Sequence, residues 1–236
     1  AVTGHPATAA PISSQAIPAQ TGINPNLNSI GNNSLSLNTV GTSNHVYGVD
    51  LEINGEGEIG LFGDGFGTLR IDDVNIGDED GLPTSTGIIM RLENGVFDTA
   101  SNFGTLQSAN ANNNIIFLIG VGGSFTATST TINQNTLPIA DQNEGDSGIR
   151  IIDSTASAVF DFGQLTIQMG EGDSPADSIA ISGSNNSGAT IRSVAGSGVI
   201  INDDGPAFNL FDTTLDMVVT TIRSDDSGGD AIFFSD

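Results

Sequence analysis

Between Gly148 and Ser178 the apolar positions fall into three short runs, Ile149-Arg150-Ile151-Ile152, Ala158-Val159-Phe160-Asp161-Phe162 and Leu165-Thr166-Ile167-Gln168-Met169. Small or polar residues separate them and an acidic turn closes the series. A two-residue period in runs of this length predicts half-buried β-strands. The triplet recurs along the chain, with starts at Val46 (VYGVDLEI), Ile88 (IIMRL), Ile115 (IIFLIGV), Ile149 (IRII), Ile179 (IAIS), Ala207 (AFNLF) and Ala231 (AIFF). The long step from Val46 to Ile88 implies an inserted loop or a merged repeat. Gly, Ser or Asp precedes several starts, as in Gly87-Ile88, Gly148-Ile149 and Asp230-Ala231, and is expected to turn the chain tightly there. Third-strand segments align as well: TLRIDDVNI (68–76), QLTIQM (164–169), SGVII (197–201) and MVVTTI (217–222).

These repeats predict an all-β fold, a right-handed parallel β-helix in which the Ile, Val, Leu and Phe of successive coils stack into inward ladders. A single coil buries too little to offset its ordering entropy, so neighbours must fold together. The competing architecture is a β-sandwich or jelly roll, which also yields many short strands. It is supported by hairpin-type dipeptides at Asn54-Gly55, Asp64-Gly65, Asp80-Gly81, Asn94-Gly95 and Asp204-Gly205. Residues 1–33, with Pro6, Pro11, Pro18 and Pro25 and no apolar period, read as an extended arm or linker. Residues 34–44, including SLSLNTV, read as a capping strand. The β-helix occupies 45–236, and GGDAIFFSD (228–236) opens a further coil, so the solenoid is expected to stop mid-coil or to meet another subunit.

Composition supports strands and turns, with 31 Gly and no helix-forming run of Ala, Leu, Glu and Lys. The net charge of -23, carried by 28 acidic residues against five arginines and no lysine, argues against nucleic-acid or anionic-membrane binding through a basic patch. Cysteine is absent, which excludes disulfides and thiolate chemistry. No apolar run is long enough for a transmembrane helix.

The acidic residues cluster at the closing turns, and the clusters have two readings. One is a column of calcium sites drawn from Asp78, Asp80, Glu144, Asp146, Glu171, Asp173, Asp203, Asp204, Asp225 and Asp226, since hard cations bind several carboxylate and carbonyl oxygens. The other, favoured because neither an EF-hand loop nor a Gly-Gly-x-Gly-x-Asp nonapeptide is present, is solvated turns. Ca²⁺ is the only cofactor the pattern suggests. Catalytic residues are not expected. The carboxylate pairs Asp72-Asp73, Asp203-Asp204 and Asp225-Asp226 lack the Gly-His-Gly and Arg-x-Lys companions of polysaccharide-cleaving β-helices, and His5 and His45 are poorly placed for a general base. The Gly-rich stretches 55–67 and 120–123 contain no Lys and open no helix, so they read as corners rather than phosphate loops. Arg70, Arg91, Arg150, Arg192 and Arg223 occur about once per coil. Pairing with the neighbouring acidic turns is the ordinary explanation, and a ligand-binding row the other.

Coils such as SGIRIIDSTASAVFDFGQLTIQ, free of Cys and rich in Gly, Asn, Thr and Ser, resemble the β-helical passenger region of bacterial autotransporters and related large surface adhesins. The segment SGGDAIFFS is similar to the Gly-Gly-Ala-Ile repeat of chlamydial polymorphic outer-membrane proteins, departing from it through Asp230 and the missing Phe-x-x-Asn repeat. The resemblance implies an extracellular or cell-surface, non-enzymatic protein in adhesion or structure. Its expected partners are like subunits, other surface proteins, or a host or glycan receptor. The alternatives are a subunit of an extracellular filament joined through the arm or the open end, and a polysaccharide-binding or -cleaving β-helix.

Overall fold

The computed structural model describes residues 26–29, 33–37, 43–55, 57–77, 87–109, 111, 114–134, 146–155, 157–170, 178–194, 198–203, 205–225 and 227–236. Among them there are strands and no helix. The strands are β1 (Asn26–Ser29), β2 (Asn33–Leu37), β3 (Ser43–Ile53), β4 (Ile59–Ile76), β5 (Ile88–Ala109), β6 (Ile116–Asn133), β7 (Asp146–Ile152), β8 (Val159–Asp161) and β9 (Gln164–Met169). They continue with β10 (Ser178–Ser184), β11 (Thr190–Arg192), β12 (Gly198–Asn202), β13 (Phe208–Phe211), β14 (Thr214–Asp216), β15 (Val219–Ser224) and β16 (Ile232–Ser235).

Alternating apolar residues make these segments strands, and register decides how they assemble. Among the described residues every strand pair is parallel, each partner coming from the repeat before or after. One column of stacked positions runs Leu35, Leu61, Met90, Ile116, Ile149, Ile181, Phe208, Ile232. A second runs Phe125, Phe160, Ile191, Leu215, and a third Ser108, Ile132, Ile167, Ile200, Ile222. Strands β4, β5 and β6 each bend through more than one column.

The jelly-roll alternative is corrected by this pairing, because sandwiches are built from antiparallel strands. The Asn-Gly and Asp-Gly dipeptides that supported it make no hairpin among the described residues. The predicted start at Val46 is displaced: Val46 pairs with Ile71, and the first-column strand of that repeat is Ile59–Asp64, inside β4. The long first step therefore conceals a merged repeat. Strand β1 lies within the expected arm and pairs with Asp50–Ile53, so the sheet begins before residue 34. SLSLNTV supplies β2, a further member of the first column on β4.

The core is continuous from Leu37 to Leu210 and is densest in phenylalanine. Phe125 is 1% exposed and its ring centre lies 5.0 Å from Phe97, 5.4 Å from Phe103, 5.5 Å from Phe160 and 5.4 Å from Phe162. Several of these are edge-to-face, the arrangement favoured by the ring quadrupole.

The turning points differ from those predicted. The glycines before strand starts are not at positive φ. Gly148 is needed for room, since a Cβ there would stand 2.8 Å from the Ala180 carbonyl oxygen. Left-handed backbone occurs at the other end of the first-column strands, at Gly65, Asn94, Gly120, Asp153, Asn185 and Asp212, one residue past the in-register set Asp64, Glu93, Ile119, Ile152, Ser184. Gly, Asn and Asp are the residues that tolerate this region.

Because Phe125 joins four rings, Phe125→Ala is expected to destabilise the fold by about 3–5 kcal/mol. Urea unfolding followed by circular dichroism measures it, and a change below about 1 kcal/mol would contradict this packing.

Candidate functional site

Two of the residues proposed as calcium ligands have described side chains. Asp203 and Asp225 are gathered around a cation the protein itself supplies: Arg223 donates from Nη2 to Asp203 and lies 3.2 Å from Asp225 through Nε. The hydrogen bond and charge of Asp203, then the charge of Asp225, raise the already high pKa of that guanidinium. Only the backbone of Asp146, the first residue of β7, is described. Asp78, Asp80, Glu144, Glu171, Asp173, Asp204 and Asp226 lie outside the described residues. Among the described residues no three His, Asp or Glu side chains converge as a metal-binding group.

Of the carboxylate pairs considered for catalysis, Asp72-Asp73 is described, and Asp72 is fully engaged. His45 Nε2 and Arg70 Nε each lie 2.9 Å from its Oδ2, and Asn102 Nδ2 donates to Oδ1 at 2.8 Å. Burial disfavours the charge, but the hydrogen bonds from His45, Arg70 and Asn102 and the charge of Arg70 outweigh it and hold the Asp72 carboxyl below its ordinary value. Asp73 is exposed in left-handed backbone. The pair does not present two converging carboxyls for general acid–base work.

The arginines divide. Arg70 pairs with Asp72 at 2.9 Å, Arg91 with Glu93 at 2.8 Å, Arg192 with Asp216 at 2.9 Å, and Arg223 with Asp203 and Asp225. The partners are mainly strand residues rather than the acidic turns expected. Among the described residues Arg150 alone has no carboxylate within ion-pair distance. Its guanidinium instead lies 5.5 Å from the centre of the Phe117 ring, with Arg91 at 5.8 Å in the neighbouring repeat. Each is a cation–π contact.

Register places these residues on one outward line of the first column: Phe62, Arg91, Phe117, Arg150, Ser182, Asn209, Phe233. Where the line reaches Ser182 the surface dips into a groove of about 270 Å³ lined by Ser147, Arg150, Ile179, Ser182, Gly183, Ser184, Asn209 and Phe211. The cause is local. β10 presents only hydroxymethyl groups at Ser182 and Ser184, while the rungs beside it present Arg150 and Ile152 on one flank and Asn209 and Phe211 on the other. Phe211 packs on Phe233 at 5.0 Å and closes the far wall. The side chains of Ser182, Ser184 and Asn209 make no hydrogen bond among the described residues. The sequence reading missed this groove; only once the left-handed corners are known do the residues three before each of them align as Phe62, Arg91, Phe117, Arg150, Ser182, Asn209.

No family model, curated protein or solved structure matches the chain.

A carboxyl held below its ordinary value contributes stability above the unfolded pKa of about 3.9 and loses it as pH falls through the lower folded value. Asp72→Asn is therefore expected to destabilise at pH 7, with the gap to the unaltered chain steady down to about pH 5 and closing below about pH 4. Urea midpoints across this range test it, and a gap that persists undiminished at about pH 2 would count against the arrangement.

Proposed function

We propose that the chain is a right-handed parallel β-helix of the bacterial surface-adhesin kind, acting outside the cell or on its surface as a non-enzymatic rod that presents an adhesive face. The all-parallel pairing from repeat to repeat supports the helical solenoid, and the handedness follows from the strong preference of parallel crossovers for the right hand. One observation carries the adhesive reading. Described ion pairs engage four of the five arginines, whereas Arg150, without such a pair, stands beside an open groove walled by the exposed ring of Phe211. Exposed aromatics and arginine are the residues enriched where proteins bind partners. Beads coated with the folded chain are expected to adhere to cell or polysaccharide-coated surfaces without releasing reducing ends. Adhesion no greater than that of beads carrying heat-unfolded chain, or steady release of reducing ends, would overturn the reading.

A filament is the second reading, favoured by a different surface. Ile232 and Phe234 occupy inward register positions, stacked beneath Phe208 and Leu210, yet are 41% and 56% exposed, with Val218 and Ile222 also open to solvent. Exposed apolar rungs pair with a further strand, and this reading assigns a second copy of the chain to them. Concentration-dependent polymers in sedimentation velocity, abolished by Phe234→Asp, are expected on this reading. Sedimentation independent of concentration would remove it.

A further inference from the structure

We infer that the groove on β10 is a binding subsite for an acidic saccharide, a uronate-type sugar ring whose carboxylate is held by Arg150. The inference rests on the adhesive reading of this face and supplies its ligand class.

The floor and walls specify the chemistry. Ser182, Ser184 and Asn209 provide hydroxyl and amide groups that are unpartnered among the described residues, matched to a ligand rich in hydroxyls. Phe211, 41% exposed, and Ile179 provide the apolar surface against which the C–H face of a sugar ring packs. Arg150 provides a planar donor fork suited to a carboxylate. Phe117 and Arg91 on the far side of Arg150 restrict the directions in which the guanidinium can turn. The volume of about 270 Å³ lies just below the range of drug-sized sites, which suits one ring of a chain that continues along the face.

Three other classes fit less well. β10 is paired to β7 on one side and β13 on the other, so its backbone is unavailable to a peptide seeking a sheet edge, and only side chains can recognise the ligand. Nucleic acid is opposed by the net charge of -23 and by there being, among the described residues, one arginine without an ion pair. A neutral saccharide leaves Arg150 without a counter-charge. The same net charge repels an acidic sugar at long range, but at physiological salt exposed charges beyond about 8 Å are largely screened, which leaves the local contact dominant.

The test is calorimetric titration of the full chain, at about 0.15 M salt, with an oligogalacturonate of defined length. The arms are a neutral dextrin of the same length and a poly-glutamate peptide of equal charge. Saturable binding of the uronate is expected, with the dextrin at least about tenfold weaker and the peptide without effect. Arg150→Ala should weaken binding about tenfold or more, and Ser182→Phe, which fills the groove, should abolish it. Arg192→Ala, on another face, should leave it unchanged, and thermal melts verify that each variant is folded. No binding by the unaltered chain overturns the proposal, as does equal binding of dextrin or poly-glutamate. Binding that survives in both folded groove variants does so too. Should Arg150→Ala or Ser182→Phe fail to fold, protection of the groove by the uronate in hydrogen exchange decides instead, and absence of protection at residues 147–152 and 179–184 overturns the proposal. Bead adhesion that persists while uronate binding is absent would refute this ligand and leave the adhesive reading standing. Uronate binding without adhesion would do the reverse.

Discussion

Parallel, in-register pairing between repeats is the constraint from which the other features follow. When every strand bonds to the same strand one repeat away, each side chain stacks on the side chain at its own position in the next repeat. Inward, this rewards repetition: Ile116, Ile149 and Ile181 stack directly, and Phe125 meets Phe160. Outward, repetition is penalised, because like charges directly opposite one another destabilise a sheet. In a chain with 28 acidic residues that penalty is severe, and at several positions stacked carboxylates alternate with neutral or cationic groups, although Asp64 faces Glu93 directly. Asp50 lies opposite Asn75, whose Nδ2 donates to it at 2.7 Å, and Asp72 lies opposite Asn102. Asp161, Arg192 and Asp216 alternate in sign down the second column. Arg91 and Arg150 obey the same rule with Phe117 between them.

Where strands end, the constraint acts on the backbone. A rung must leave the first column at the same place in every repeat for the register to persist, and the left-handed residues from Gly65 to Asp212 provide that repeated bend. One corner is reinforced from within. Asn186, fully buried, accepts from the Ser154 amide at 3.0 Å and donates at 2.9 Å to both the Ile151 carbonyl and the Thr213 hydroxyl, tying three repeats together. Gly183 makes room for it, as a Cβ there would stand 3.2 Å from Asn186 Nδ2 and 2.7 Å from Thr213 Oγ1. A buried amide with each polar atom bonded specifies the register more sharply than apolar packing, which tolerates sliding.

The strands of the first column from Ile88 onward were legible because inward positions are subject to one rule, alternation of large apolar residues, and that rule survives in a single sequence. The merged repeat was not. Between Gly55 and Gly67 the apolar period is interrupted by Gly63, whose place inside the column is filled by Phe66 and Leu92 from neighbouring positions, so the alternation is visible only once the contacts are known. The groove was illegible for a related reason. Ser182 and Ser184 are unremarkable residues in isolation, and what matters is that Arg150, Asn209 and Phe211 stand taller on either side, a comparison that requires register. Acidic residues, by contrast, drew notice by number alone, and for Asp203 and Asp225 the partner proved to be Arg223, some twenty positions from the first of them and adjacent only through pairing of β12 with β15.

This separation of inward and outward rules also governs where specificity can reside. With the backbone of interior strands such as β10 committed to neighbours on both sides, an outer face recognises other molecules through side chains alone. Where those side chains form exposed ion pairs, as Arg192 with Asp216 and Arg223 with Asp225 do, they carry little of the folding energy. A rung can exchange such an exposed outward residue with little effect on stability, whereas an inward exchange disturbs the ladder above and below. In such a fold the depth and sign of a surface feature are set by size differences between adjacent repeats. The run Phe117, Arg150, Ser182, Asn209, falling from large to small and rising again, is a place on the first column where those differences enclose space beside a cation.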